Sequence, residues 1–513
     1  MMTAQILIFC TIIVYLFGML VIGFLCSKKS DSVQDFYLGG RKLGPVVTAM
    51  SAEASDMSSW LLMGLPGLAY LTGVADAFWT AVGLAVGTYL NWLLVAKRIR
   101  CYSQVTDAIT VPDFLSKRYG DKRRWLTSLA AVTIVIFFVP YTASAFAACG
   151  KLFSSLFGVS YHGALIVSAV IIVGYCALGG FLAASMTDLV QSMVMTLSIV
   201  VILGFGIFTA GGWGAVMDNA RELPGYLSLT LTHNAASGTA EIYNPLNIFS
   251  MLAWGLGYFG MPHILLRFMA AGDAAKLRLS RRIASIWVVI SLGVAVLIGL
   301  VGNSMTAVGA IPALKGSESE TLIVKVAALL SQHGWLAAIV AGVILSGILA
   351  ATMSTADSQL LAASSSVSQN LLREAMGIKM SEKASIAVAR ITVILVAVIG
   401  VVLAFDPNSS VFEIVSFAWA GFGATFGPVV LFALFWRRSN LWGSLAGMGV
   451  GGVAIFVWKY AIRPLGGLWD IYELLPAFLL ASLTIVVVSL LTKRPSEEIE
   501  RQFDETAEMV RSL

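Results

Sequence analysis

The sequence predicts an all-α polytopic membrane protein with about thirteen transmembrane helices. Of the 513 residues, 58% are hydrophobic and only 12% are charged, whereas a soluble globular domain carries about 25% charged residues. Apolar windows of about 20 residues, the length of helix that crosses a bilayer, recur along the whole chain. These observations exclude a soluble globular protein. The net charge of +5 does not indicate a nucleic-acid-binding surface, because the basic residues are scattered between the apolar windows.

Each predicted span is an apolar window whose ends we place to within several residues. We expect no cleaved signal peptide, because residues 1–5 carry no basic side chain and no small-residue cleavage pattern follows the first window. The predicted spans lie at residues 6–26, 45–72, 74–97, 125–150, 161–178, 186–210, 247–270, 283–305, 335–365, 388–405, 412–437, 441–460 and 473–492.

The distribution of lysine and arginine predicts the orientation of the chain. Cytoplasmic loops of membrane proteins are enriched in these residues, and alternate loops of this chain hold all but six of its 33. We therefore expect the N-terminus outside, the C-terminus inside and insertion in the cytoplasmic membrane. With this orientation, the basic residues that face outward are Lys151, Arg221, Lys315, Lys325, Lys459 and Arg463.

Spans 2 and 7 are both interrupted by glycine and proline. Span 2 contains Gly64, Pro66 and Gly67, and span 7 has three glycines before Pro262. Helix interiors tolerate such residues where neighbours or a cavity satisfy the freed backbone. Each interrupted span opens a run of five, which is typical of inverted-repeat secondary transporters with a site at the bilayer midplane.

The spacing of the interrupted spans divides the chain into six predicted parts. They are a peripheral first helix and inner loop (1–44), the first repeat (45–210), an outer loop (211–246), the second repeat (247–437), two peripheral spans (438–492) and a cytoplasmic tail (493–513).

Span 2 carries two carboxylates, Glu53 and Asp56, and four serines within residues 51–60. An ionised carboxylate at membrane depth costs at least about 2.5 kcal/mol. Both acidic side chains therefore need partners. A functional site is the default interpretation.

Span 9 presents hydroxyl groups on one helical face. Ala351, Ser354, Thr355 and Ser358 follow the i, i+3, i+4, i+7 spacing. Opposite a broken helix with free carbonyl groups, Ser354 and Thr355 would provide the neutral oxygens that a weakly held monovalent cation needs. The alternative for any one of these serines is interhelical packing, worth about 0.6 kcal/mol.

Two further carboxylates are candidates for a second cation or proton site. Asp188 enters span 6 near its inner end, and Asp357 follows the hydroxyl pair of span 9. Asp188 could instead stabilise a helix N-terminus, and Asp357 could instead reach water at the inner end of its span.

Three aromatic residues lie near the expected cavity: Tyr141 in span 4, and Trp254 and Tyr258 on one turn of span 7. Aromatic side chains wall small-molecule sites and offer hydroxyl or indole donors. Membrane proteins also place such residues in interfacial belts.

The chain resembles the sodium:solute symporter family, most closely its sodium/proline symporters. The resemblance covers essentially the whole sequence. The segments that carry it are residues 36–41, 51–67, 110–119, 179–191, 254–267, 346–361 and 419–424 with 427–428. It implies a LeuT-like five-plus-five inverted-repeat fold that imports L-proline with sodium as the coupling ion, by alternating access.

The resemblance also implies roles for individual residues. The family's sodium site corresponds to the backbone carbonyls of Ala54, Met57 and Ala351 and the side chains of Ser354 and Thr355. The resemblance implies that Asp56 and Ser58 couple sodium to proline and that Arg41 affects the use of sodium. It places Tyr141, Trp254, Tyr258 and Pro262 in the proline pocket. Glu53, Met261 and Asp357 depart from the family's pattern.

Two alternatives remain open from the sequence. Within the family, the solute could be another small molecule such as pantothenate or a sugar. From a different class, the chain could be a transporter-like membrane sensor or a membrane enzyme. Because the sequence shows no appended kinase, nucleotide-binding loop or metal-ligand cluster, we expect a transporter that is not an enzyme. The expected partners are L-proline, sodium and the lipid bilayer, with no obligatory protein partner.

Overall fold

The computed structural model describes residues 2–27 and 37–513. Helices contain 82% of the residues. The predicted inner-loop residues Lys28 and Lys29, and Phe36 of the first family-like segment, lie outside the described ranges. In chain order, the elements are α1 (Met2–Ser27), α2 (Pro45–Ser59), α3 (Leu65–Thr72), α4 (Val74–Leu90), α5 (Lys97–Val105), α6 (Val111–Tyr119), α7 (Trp125–Phe157), α8 (Tyr161–Thr209), α9 (Trp213–Glu222), β1 (Leu231–Asn234), β2 (Thr239–Ile242), α10 (Pro245–Leu252), α11 (Pro262–Ala270), α12 (Leu277–Ala307), α13 (Leu322–Leu330), α14 (Trp335–Ser365), α15 (Glu382–Leu403), α16 (Val411–Phe435), α17 (Leu441–Val457), α18 (Leu474–Leu491) and α19 (Glu497–Ser512).

Short helical segments of other types link several of these helices. The π-helical segments, which often occur at functional sites, are Trp60–Gly64, Asn91–Ala96, Ser366–Ala375 and Trp458–Ile462. The 3-10 segments are Gly39–Arg41, Ala253–Gly260, Gly316–Thr321, Ser331–His333, Arg463–Leu465 and Gly467–Trp469.

The described helices confirm the all-α, multi-pass prediction. Ten are long and apolar enough to cross a membrane, and the bent pair Pro245–Gly260 and Pro262–Ala270 forms an eleventh span if it is counted as one. The other two predicted spans correspond to α2 with α3, and to the apolar first part of α8, Tyr161–Gly174. The total of thirteen spans and the sides of the two termini stay predictions.

Gly180 divides α8 where the sequence predicts a tight connection between spans 5 and 6. Its φ of 68° and ψ of 177° form a conformation that glycine adopts without the steric cost of a Cβ atom. The helix after this break carries Asp188 and Gln191 into the interior, where both are fully buried.

Span 2 breaks at Ser58 rather than at its glycines and proline. Ser58 has φ 48° and ψ −171° inside α2, and a π-helical segment then leads into α3. Gly67 serves close packing instead: a Cβ atom there would lie 2.9 Å from the backbone carbon of Ser319. Pro66 falls within the first turn of α3, where its missing N–H costs little. The interruption is therefore confirmed, but its position is six residues before Gly64.

Span 7 is interrupted as predicted. The 3-10 segment Ala253–Gly260 ends at Met261, whose backbone is extended, and α11 begins at Pro262 with a bend of 48°. Gly260 allows the close approach of α16, because a Cβ atom there would lie 2.3 Å from the backbone oxygen of Phe422.

Helices α2 and α14 lie at the centre of the bundle. α14 packs against α1, α7 and α8, and α2 packs against α8, α12 and α14. Residues 344–360 of α14 are all buried. The hydroxyl pair of span 9 therefore faces the acidic stretch of span 2 away from lipid.

The predicted outer loop contains α9 and an antiparallel hairpin in which Leu231 pairs with Ile242. The loop is fastened to span 2, because the Tyr226 hydroxyl lies 2.9 Å from the carbonyl oxygens of Ala69 and Tyr70. At the other end of the chain, the tail forms the helix α19, which docks through ion pairs of Arg437 with Glu500 and Asp504.

Candidate functional site

The break in α2 is built around Ser58. A residue other than glycine rarely adopts this backbone conformation, which costs about 1–3 kcal/mol. The Ser58 Oγ accepts a hydrogen bond of 3.1 Å from the Trp60 N–H and so caps the second half of the span. Ser58 is buried, and its observed role is to hold the break.

The predicted sodium ligands meet beside this break. Ser354 Oγ donates to the Ala54 carbonyl oxygen at 2.8 Å and lies 3.2 Å from the Ala351 oxygen. Thr355 Oγ1 donates to the same Ala351 oxygen at 3.1 Å. The Met57 carbonyl accepts from the Trp60 N–H. None of the five predicted residues is more than 2% exposed.

This donor set fits a sodium ion. Carbonyl and hydroxyl oxygens are hard ligands of the kind that hard cations prefer. The Ala54 carbonyl oxygen accepts from Ser354 Oγ, and a carbonyl oxygen has two lone pairs. When a cation takes the lone pairs of these oxygens, the hydroxyl hydrogens of Ser354 and Thr355 turn away from the carbonyls that they now contact.

Asp56 finds its partners in two tyrosines. The Tyr258 hydroxyl donates to Asp56 Oδ2 at 2.5 Å, and the Tyr141 hydroxyl donates to the Asp56 backbone oxygen at 3.2 Å. All three residues are buried. These contacts join the first interrupted span to the second and to α7.

A small cavity lies next to Asp56. Its volume is about 10 Å³, which is room for about one water molecule. The structure thus brings Asp56, Tyr141 and Trp254 to one cavity, as expected. The lining residues are Asp56, Met57, Trp60, Leu84, Tyr141, Trp254, Val415 and Trp419.

Aromatic residues make up half of the cavity lining. The ring centroid of Trp254 lies 5.4 Å from that of Trp60, 5.5 Å from Phe412 and 5.2 Å from Tyr472. Trp419 Nε1 donates to the Trp254 carbonyl at 2.8 Å. Trp60 and Trp419 are not among the predicted site residues. Both lie in segments that resemble the family, and this position in the sequence is the feature that could have identified them as site residues.

Pro262 lies apart from this cavity. It starts α11 and lines a second cavity of about 20 Å³ with Tyr37, Leu266 and Ser365. Its expected pocket role therefore stays a prediction that this geometry does not support directly.

Asp188 and Asp357 are linked through Arg267. Arg267 Nη2 lies 2.8 Å from Asp188 Oδ2 and donates to Ser358 Oγ at 2.6 Å. Ser358 Oγ lies 3.1 Å from Asp357 Oδ1. The other oxygen of each carboxylate has no hydrogen-bond partner among the described residues. Asp188 pairs with Arg267 directly and Asp357 is reached through Ser358, and a role of the two carboxyl groups in a second cation or proton site stays a prediction.

Three expectations change here. The positive-inside count placed Arg267 in an inner loop, but its side chain is 1% exposed in the core. Asp188 does not begin its helix, because it follows the break at Gly180 by eight residues. Asp357 is buried and does not reach water.

Arg41 contacts residues near the C-terminal ends of two other helices and one connection between helices. It donates four hydrogen bonds, to Ser103 Oγ and to the carbonyl oxygens of Met269, Ser103 and Ala108. Burial, followed by the nearby Arg100, lowers the pKa of Arg41 to about 10, so it stays charged at neutral pH. Its observed contacts are with α5, α11 and the connection before α6, not with the predicted sodium ligands.

Known proteins match this chain in sequence and in fold. Residues 36–451 match the family model described as the sodium:solute symporter family. The chain is 42% identical to a sodium/proline symporter of Haemophilus influenzae, over 96% of each chain, and 40% identical to one of Escherichia coli, over 98% of this chain and 96% of the other. Its fold is similar to that of a Na⁺-coupled sialic acid symporter in a substrate-bound outward-open state, with a TM-score of 0.76, 16% identity and coverage of 96% and 99%.

Proposed function

The chain belongs to the sodium:solute symporter family, and on this premise we propose that it imports L-proline together with sodium across the cytoplasmic membrane. The names of the full-length relatives support this substrate and this coupling ion. The full-length relatives that the chain matches are symporters.

One contact carries the proposal: Ser354 Oγ meets the Ala54 carbonyl at the break of span 2. The same break holds Asp56 at the aromatic cavity. An ion that binds Ala54, Met57, Ala351, Ser354 and Thr355 would therefore stabilise the backbone that forms the proline site. The two sites share one structural element, which is the requirement for coupling.

We place proline between the two interrupted spans. Its carboxylate lies near the N-terminus of the half-helix that Ser58 caps, where unpaired N–H groups favour an anion. Its ammonium group points towards Asp56, and its ring packs against Trp254 and Tyr258. A cavity of about 10 Å³ cannot hold proline, so the aromatic wall must move when the solute enters.

Sodium entry supplies the driving force. A membrane potential of about 100 mV, negative inside, contributes about 2.3 kcal/mol for each sodium ion that crosses. This free energy corresponds to roughly fiftyfold accumulation of proline. We keep the division into two five-span repeats, residues 45–210 and 247–437, as the expected basis of alternating access.

Uptake of labelled L-proline into proteoliposomes tests the proposed function. We expect uptake when sodium is high outside and little uptake when choline replaces sodium. Unlabelled proline should compete, whereas pantothenate and sugars should not. Competition by one of these solutes, with none by proline, would refute the proposed substrate.

The pair Asp56→Asn and Asp76→Asn sharpens this test. Asp76 is also hydrogen-bonded to a tyrosine, Tyr243, but lies in the first turn of α4, away from the break of α2. At limiting sodium, Asp56→Asn should reduce uptake by roughly tenfold or more, and Asp76→Asn should reduce it far less. Equal uptake by the two variants would remove Asp56 from the site.

A further inference from the structure

We propose that the transporter binds a second sodium ion between α2 and the start of the π-helical segment Asn91–Ala96, with Glu53, Asp56 and Asn91 around it. The inference rests on the proposed function, because it concerns the number of ions in the same transport cycle. The site differs from that of Ser354 and Thr355, because Glu53 contacts the segment Asn91–Ala96 whereas Ala54 contacts α14.

Glu53 is a buried carboxylate with one satisfied oxygen. Its side chain is 1% exposed, and Trp92 Nε1 donates to Oε1 at 2.8 Å. Oε2 has no hydrogen-bond partner among the described residues. Leaving such an oxygen unpaired inside a membrane protein is costly, so a cation or a hydrogen-bond donor at Oε2 would stabilise the structure.

Asn91 adds a second oxygen without a donor. Its Nδ2 donates to the Tyr258 carbonyl at 3.1 Å, which fixes the orientation of the amide. Its Oδ1 is buried and has no partner in the described part of the chain. Asn91 precedes Trp92, the donor to Glu53, and Tyr258 also donates to Asp56. Asn91 is therefore next to the donor to Glu53 in the chain and is hydrogen-bonded to the donor to Asp56.

The charges of this cluster are unbalanced. Glu53 and Asp56 are three residues apart on one helix, and like charges at this spacing destabilise each other. Within residues 2–27 and 37–513, no lysine, arginine or histidine donates a hydrogen bond to either carboxylate. Asp188, by contrast, has Arg267. Neither carboxyl group of the cluster is therefore paired with a basic side chain of the described residues.

A monovalent cation fits this arrangement better than a proton. The donors are carboxylate and amide oxygens, which are hard ligands suited to sodium. One sodium ion beside both carboxylates lowers the repulsion on each, whereas one proton neutralises only one of them. Ca²⁺ takes six to eight oxygen ligands, which is more than this cluster offers.

Equilibrium binding of ²²Na⁺ to the purified protein tests the second site. The measurement is made in choline buffer without proline, so it does not depend on which solute is transported. We expect two bound sodium ions per wild-type chain, one for Glu53→Gln and one for the double variant Ser354→Ala, Thr355→Ala. The control Glu413→Gln, which removes an exposed carboxylate at the start of α16, should retain two.

Three results would overturn the inference: one sodium ion per wild-type chain, two for Glu53→Gln, or loss of a sodium ion in the Glu413→Gln control. If Glu53→Gln does not fold, Asn91→Leu replaces it, with one bound ion expected and two contradicting the site. Failure of the proposed function would be read separately, as absence of sodium-driven proline uptake by the wild type.

Discussion

At the scale of single residues, the sodium oxygens, Asp56 and the aromatic wall are held by contacts between residues that are far apart in the chain. Ser354 contacts Ala54 across 300 positions, and Tyr258 contacts Asp56 across 202. Residue type and helical spacing are enough to indicate the Ser354 and Thr355 pair. They cannot pair Asp188 with Arg267, because nothing local in the sequence distinguishes a buried arginine from one in an inner loop.

Replacing both hydroxyl residues, Ser354→Ala with Thr355→Ala, should raise the sodium concentration for half-maximal proline uptake by roughly tenfold, about 1.4 kcal/mol of binding free energy. The double variant loses two of the proposed ligands. Thr352→Ala is the matched control, because Thr352 is buried on the same helix and its hydroxyl donates to the Ile348 carbonyl, which is not one of the proposed sodium ligands. If the half-saturating sodium concentration is the same in the wild type, the double variant and Thr352→Ala, then Ser354 and Thr355 are not sodium ligands.

Trp254→Ala should weaken proline binding by roughly tenfold to a hundredfold, as truncation of a buried aromatic anchor does, and should change sodium affinity by less. The measurement is the dissociation constant of each ligand for the purified variant. Trp442→Ala is the control, since Trp442 is 49% exposed on α17. Equal losses of proline and sodium affinity would argue against a pocket role for Trp254.

At the scale of elements, the glycine content predicts that spans 2 and 7 are broken. It locates the break of span 7 correctly but not the break of span 2. In span 7 the glycines lie within the 3-10 segment itself, and the break follows the predicted pattern. In span 2, Gly67 is used for contact with Ser319 instead, and the backbone turns at Ser58. Serine has no intrinsic preference for that conformation. Tertiary packing and the cap to Trp60 fix the break, and neither is visible in the sequence.

Gly260→Ala should destabilise the protein. The new methyl group would lie 2.3 Å from the Phe422 carbonyl oxygen, and overpacking of this kind costs about 1–3 kcal/mol. The measurement is the thermal unfolding midpoint in detergent. Gly449→Ala is the control, because outside its own stretch of helix no atom of the described residues lies within 4 Å of the Cβ position at Gly449. If both variants unfold at the wild-type temperature, the close contact between span 7 and α16 is not needed.

At the scale of the whole molecule, the central cavity is closed on the predicted outer side. Glu320 accepts hydrogen bonds from the backbone N–H groups of Val411 and Phe412 and pairs with Lys151 at 2.6 Å. The Phe412 ring lies 5.7 Å from that of Trp60. One carboxylate therefore joins α7, the segment Gly316–Thr321 and α16 directly above the aromatic wall. The broad fold follows from hydropathy, but this closure depends on a buried ion pair that hydropathy does not reveal.

Lys151→Met should lower both the thermal midpoint and the rate of sodium-driven uptake, because removing one partner of a buried ion pair typically costs about 3–5 kcal/mol. Lys325→Met is the control. It removes another outer lysine, for which the described residues show no ion pair. Should the two variants behave alike, Glu320 does not need Lys151 to hold the closure.

The central claim is that sodium at the break of span 2 forms the proline site, and reciprocal binding to the purified wild type tests it most directly. The dissociation constant of proline is measured in sodium and in choline, and that of sodium with and without proline. Each ligand should tighten the other by the same factor, roughly 5-fold to 150-fold. A proline dissociation constant that is unchanged when choline replaces sodium would contradict the claim.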